Sequence, residues 1–98
     1  MSAYVIAEVE VIDEVKARPY RDLAAASISK HGGRYLVRAA RPDLPEGEWP
    51  PQHRMALIEF PTMDAVRAWY DSHEYAAALA VRGGALAPQR LVFVEGVD

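Results

Sequence analysis

The sequence contains no cysteine, which excludes disulfides, thiolate metal ligands and a cysteine nucleophile together. Long apolar runs are missing too: none approaches the ~20 residues of a membrane-spanning helix. Met1-Ser2-Ala3-Tyr4 carries no basic stretch leading into an apolar signal core. A cytoplasmic location without membrane contact is the resulting expectation. Positive charge is in deficit, with eleven Lys and Arg against fourteen Asp and Glu, a net charge of -3 and a pI near 5.6. That balance gives no broad attraction to nucleic acid. There is no P-loop, no GxGxxG and no GxSxG; Gly32-Gly33 and Gly83-Gly84 read as helix terminators. His31, His53 and His73 fall in three different elements without metal-ligand spacing, so no metal and no cofactor is expected.

What is present is ordinary globular material: 98 residues, 51% apolar and 26% charged, enough for one domain over residues 1–98 with a modest core. Tyr4–Val11 alternates as a strand, with Val5, Ala7, Val9 and Val11 on one face. Asp13 breaks it, Glu14–Arg18 reads as a short lead-in turn, and Pro19 fits the first turn of a helix better than its interior. Tyr20, Leu23, Ala24, Ser27 and Ile28 then follow one helical face, ending at Lys30-His31-Gly32-Gly33. Gly33–Ala40 and Arg54–Phe60 read as a second and third strand. The proline-rich segment Arg41–His53 between them is too long for a tight turn. Thr62 and Ser72 are N-cap candidates for two successive helices, the second running from His73 to about Val81. Leu91–Val97 closes the chain as a fourth strand. Strand, helix, strand, strand, helix, strand is the ferredoxin-like split βαβ order, an α+β fold with a four-stranded antiparallel sheet.

One layer of helices covers only one face of such a sheet. Ile6, Leu36, Ala56, Ile58, Phe60, Val92 and Val94 are read as an apolar second face, opposite Val5, Val9 and Val11. Large exposed apolar patches mark interfaces, so a homodimer with sheet packed on sheet is expected.

Four separated segments then become familiar: Gly32-Gly33-Arg34-Tyr35-Leu36-Val37-Arg38, Glu46-Gly47-Glu48-Trp49-Pro50-Pro51, Ile58-Glu59-Phe60-Pro61, and Ala68-Trp69-Tyr70-Asp71-Ser72-His73-Glu74-Tyr75. In this order, and through Val94-Glu95-Gly96-Val97, the chain resembles a small bacterial domain-of-unknown-function family within the dimeric α/β-barrel superfamily. The resemblance implies a ferredoxin-like fold and two sheets packing into a dimeric α/β barrel. It implies no activity, and it departs at Lys16-Ala17-Arg18-Pro19, before the expected first helix. The wider superfamily is similar in architecture to cofactor-independent monooxygenases, small isomerases, dye-decolorising and haem-binding proteins and stress-response barrels, activities that fold alone does not transfer.

Two constellations have the residue types for chemistry. Arg38, His53, Arg54 and Glu59, with Trp49 nearby, are suited to holding a carboxylate, since arginine makes bidentate charge-assisted bonds. In this reading the second and third strands are not neighbours, and the same arginines can instead pair with Glu8, Glu10 or Glu59. Trp69, Tyr70, Ser72, His73 and Tyr75 sit at the break between two helices, where His73 is a candidate acid or base. Three functions follow. The first is a small-ligand-binding dimer with a pocket lined by Tyr4, Tyr20, Tyr35, Trp69 and Tyr70, using Arg38, Trp49, His53 and Arg54. The second is a cofactor-independent enzyme, monooxygenase- or isomerase-like, on a small aromatic or carbonyl compound with His73 or Glu59 as base. The third is a structural interaction module.

Overall fold

Strand β1 (Ala3–Val11) is the spine of the sheet because its alternation gives it one wholly apolar face. In the computed structural model, which describes residues 1–97, β1 lies between strand β3 (His53–Phe60) and strand β4 (Leu86–Glu95), antiparallel to both. Strand β2 (Arg34–Ala40) pairs with the outer side of β3, giving the order β2-β3-β1-β4. The expectation that β2 and β3 lie apart is therefore corrected. The Arg41–Gln52 connection is a long hairpin loop, and consecutive antiparallel strands commonly pair across one.

Three helices lie on one face: α1 (Glu14–Lys30), α2 (Met63–Tyr70) and α3 (His73–Ala80). No helix is long and apolar enough to cross a membrane. Thr62 and Ser72 cap α2 and α3 as their hydroxyls accept the Ala65 and Tyr75 amides. The start of α1 differs from the sequence reading. The Asp13 carboxylate accepts the Val15 and Lys16 amides at 3.0 and 3.1 Å, so the helix begins at Glu14 and runs through Pro19. Pro19 forfeits one helical bond, but it and Val15 face solvent, where water can take the orphaned carbonyl.

The ladder also corrects the facing of β3. Ala3, Val5 and Ala7 oppose Phe60, Ile58 and Ala56, and directly opposed residues share a face. Ala56, Ile58 and Phe60 therefore belong to the helix-covered core. The open face instead carries Leu57 beside Ile6, with Val92 on Ile6's other side. Val94 and Leu36 extend this patch, and Ile6, Leu36, Val92 and Val94 are each 37–44% exposed.

β2 is irregular in a way that matters for the site. Its register against β3 slips between Tyr35 and Val37 and again between Val37 and Ala40, and Ala39 adopts φ 52°. Such bulges re-aim side chains. Arg38, which strict alternation places on the Leu36 side, comes to the helix side: its guanidinium lies 4.8 Å from the Tyr35 ring centroid. It also reaches the Arg21 carbonyl of α1 at 3.4 Å.

The core is centred on Trp69, Phe60, Val5 and Val66. At its rim, Glu74 accepts from His31 Nε2 at 2.9 Å and from Lys30 Nζ at 3.3 Å, tying the start of α3 to the end of α1. The His31 hydrogen bond, with Lys30 adding to it and desolvation opposing, holds the Glu74 carboxyl below its ordinary value of 4.5. A carboxyl lowered in the folded state stabilises the fold fully above its unfolded pKa and loses that contribution as pH falls through the folded one. Thermal melts from pH 7 to pH 3 are expected to fall less steeply on the acid side for Glu74→Gln than for the parent protein.

Candidate functional site

Between α1, α3 and the sheet the helix-side packing leaves a cavity of about 80 Å³. Most of its wall is aliphatic, from residues such as Ala7, Val9, Ala24, Met55 and Ile58, while Tyr20, Tyr35, Trp69 and Tyr75 supply aromatic surface. Short side chains of β1 and α1 create the space, since Ala7 and Ala24 stand where larger residues would fill it. Burial pushes the Tyr75 phenol strongly up, and the neighbouring Tyr20 hydroxyl adds to this. Burial also raises Tyr35, with Arg38 opposing. Both phenols are thus neutral at physiological pH and available as hydroxyl donors.

Arg38 stands where this cavity meets an open groove of about 430 Å³. The groove is lined by Arg18, Arg21, Arg38 and Arg54, with Glu14, Asp22 and Ala39. Arg21 is neutralised by Glu14 at 2.8 Å. Among the described residues, Arg18, Arg38 and Arg54 have no carboxylate at ion-pair distance. Arg54 Nη1 donates to the Pro51 and His53 carbonyls, both at 3.2 Å, which fixes the guanidinium at the groove and leaves its other N–H donors available.

Of the residues singled out from sequence, the fold gathers Tyr20, Tyr35, Arg38, Arg54, Trp69 and Tyr75 around this cavity and groove. Trp49 and His53 form a separate cluster. His53 Nδ1 lies 2.6 Å from Glu8 Oε2, Arg90 lies 3.6 Å from the other Glu8 oxygen, and Trp49 Nε1 donates to the His53 carbonyl at 3.1 Å. Glu59 is on the open sheet face, accepting from the Tyr4 hydroxyl at 3.2 Å and Arg34 Nε at 2.9 Å. That arrangement also removes Tyr4 from the pocket wall. His73 is exposed in the first turn of α3. Tyr70 is 45% exposed, packed edge-on to Phe93 outside the cavity. Among the described residues no group of His, Asp and Glu is arranged to hold a metal ion.

Tyr75, grouped in the sequence reading with His73 at the helix break, lines the cavity instead. Two contributors have no place in that reading of the site, Arg18 and Arg21. Their signal was available: residues three apart share a helix face, but only once α1 is extended back through Pro19 do Arg18 and Arg21 fall on one helix.

A four-stranded antiparallel sheet with helices on one side and a pocket beneath them defines a ferredoxin-like α+β protein. Within that class the chain belongs to the family described as a domain of unknown function, DUF1330, whose model matches residues 2–97. A protein of unknown function from Rhodopseudomonas palustris superposes with a TM-score of 0.77 at 13% identity, covering 99% of this chain and 83% of that one. A candidate antibiotic biosynthesis monooxygenase from Chloroflexus aurantiacus superposes at 0.67 and 13% identity, covering 100% and 95%. Another from Caulobacter crescentus gives 0.65 at 20% identity, covering 99% and 91%. At these identities the likeness is one of fold. No curated protein matches by sequence.

Proposed function

We propose that the protein is a homodimer that binds a small organic ligand in the cavity beneath α1, with Arg38 holding an anionic or strongly polarised oxygen of that ligand. The observation that carries this reading is the displacement of Arg38 by the β2 bulge, which sets a guanidinium on the Tyr35 ring at the mouth of an apolar cavity. A mostly apolar enclosure with a few convergent polar groups is the usual form of a small-molecule site. Left-handed φ in a non-glycine residue such as Ala39 costs free energy, and such strain clusters at functional positions.

Size narrows the ligand. The cavity's 80 Å³ is about half the ~150 Å³ dry cavity that accepts benzene in an engineered protein. The buried part of the ligand is therefore smaller than a benzene ring, as in a short-chain carboxylic or keto acid. The monooxygenase-like and isomerase-like readings need a base, and His73 and Glu59 lie away from the cavity, so binding is the favoured reading. A space its own side chains leave open favours binding over a purely structural module as well.

Native mass spectrometry of the purified protein is expected to give a dimer, with the ligand's mass added if it co-purifies. With short-chain carboxylates added, the melting temperature is expected to rise. Arg38→Ala is expected to weaken that binding about 10- to 100-fold, the range of a lost hydrogen bond to a charged group. A melting response unchanged in Arg38→Ala would sink the assignment of Arg38.

A further inference from the structure

The groove outside Arg38 is larger than the cavity and different in chemistry, and nothing above gives it a role. We propose that it is a subsite for a phosphate-class dianion, so that the ligand has a small apolar head in the cavity and a phosphate group in the groove, whose oxygens are the anionic ones that Arg38 holds. The subsite extends the ligand-binding reading given above.

The argument begins with charge. Four arginines and two carboxylates line the groove, leaving two positive charges in excess on a chain whose net charge is -3. The Glu14–Arg21 pair cancels internally, so the excess resides on Arg18, Arg38 and Arg54, offset by Asp22. Three guanidiniums facing one space repel one another, and among the described residues no carboxylate pairs with any of them. A single carboxylate would neutralise only half the excess. A phosphate monoester carries about -1.5 to -2 at neutral pH and three strong acceptor oxygens, matching both the charge and the number of free guanidiniums. Arginine forks suit phosphate oxygens better than lysine does.

Placement is the second strand of the argument. The three arginines come from three elements: Arg18 from α1, Arg38 from β2 and Arg54 from β3. Two are set by local backbone features, Arg38 by the bulge with Ala39 at φ 52° and Arg54 by its bonds to the Pro51 and His53 carbonyls. Arg21, Arg38 and Ala39 line both spaces, so one molecule can span them.

Isothermal titration with inorganic phosphate and with butyl phosphate tests both halves, at low ionic strength because exposed charges are screened by salt. Saturable phosphate binding, weakened about tenfold or more in each of Arg18→Gln and Arg54→Gln and strengthened in Asp22→Asn, supports the subsite. No saturable binding, or binding unchanged in the Arg18→Gln/Arg54→Gln double variant, overturns it. Circular dichroism melts of each variant separate lost binding from lost folding, and the exposed positions of Arg18 and Asp22 make these substitutions mild. Butyl phosphate binding at least tenfold tighter than inorganic phosphate supports a shared ligand across cavity and groove. Equal affinities, with phosphate binding still dependent on Arg18 and Arg54, uphold the anion subsite and overturn the cavity as the site of the ligand's head.

Discussion

Trp69→Ala is expected to destabilise the protein by about 3–5 kcal/mol, the range for removing a large buried aromatic side chain. Domains of this size have only about 5–15 kcal/mol in total, so much of the variant should be unfolded in mild denaturant. Trp69 is 2% exposed and packs 4.4 Å from Tyr75 and 5.5 Å from Phe60, ring centroid to ring centroid. Its indole N–H donates to Ser27 Oγ at 3.0 Å, and that fully buried hydroxyl donates onward to the Ala24 carbonyl at 2.7 Å. Truncation therefore strips a ring contact from α3, removes the donor facing a buried oxygen of α1, and opens the existing cavity through one of its walls. Trp69→Phe separates these effects. It keeps most of the ring contact and loses the N–H, so its cost should be nearer the 1–3 kcal/mol of an unmet buried polar group. Urea or guanidinium unfolding measures both, and a cost below about 1 kcal/mol for the alanine variant would show that the core is not built around this residue.

The element order was readable because each element carries its own local signal. The alternation of β1, the caps at Thr62 and Ser72 and the glycines after Lys30 are decided within a few residues, and those positions hold in the fold. Where the sequence reading departed from the structure, the deciding contact lay outside the local window. Pro19 argues for a helix starting near it, but the Asp13 carboxylate caps the helix six residues earlier. The β3 residues are nearly all apolar, so periodicity could not say which parity faces the helices; pairing of Val5 with Ile58 settles it. β4 begins at Leu86, well before the expected start, because Leu86 pairs with Val11 and Pro88 is tolerated on an edge strand beside the irregularity at Glu8 and Val9.

The candidate site was legible in its residue types and not in its geometry. Arg38 was singled out for its charge, yet alternation placed it on the wrong face, and only the register slips of β2 bring it over Tyr35. Nothing in Val37-Arg38-Ala39-Ala40 announces a bulge, since glycine, the usual residue at positive φ, is absent. Arg54 and Arg38 line one groove because β2 and β3 are neighbours, whereas the sequence reading sets those strands apart. His53 was grouped with them by proximity along the chain. Adjacent residues of a strand face opposite ways, so His53 joins Glu8 on the open face while Arg54 faces the groove.

That open face leads to the second large effect: Ile6→Glu is expected to convert the proposed dimer into monomers. Ile6 sits on the central strand β1, with Leu57 of β3 and Val92 of β4 directly opposite on its two sides, so it lies at the middle of the patch rather than at a rim. Covering a medium-sized apolar side chain is worth roughly 1.5–3 kcal/mol when burial is complete. Four residues left 37–44% exposed on one face thus give several kcal/mol of drive toward association per protomer. The patch is bounded by the Tyr4–Glu59–Arg34 and Glu8–His53–Arg90 clusters, which match the apolar centre and polar rim of a protein interface. In a two-fold pairing a single substitution acts twice, placing two unpaired carboxylates in the covered layer. Each uncompensated buried charge costs about 3–5 kcal/mol, so the dissociation constant should rise by at least about a thousandfold. Val15→Glu is the matching control, since Val15 is 69% exposed on α1, away from the sheet, and its variant should stay dimeric. Light scattering after size exclusion distinguishes the two masses. A parent protein that is already monomeric at micromolar concentration, or an Ile6→Glu variant as dimeric as the Val15→Glu control, would rule out this face as the interface.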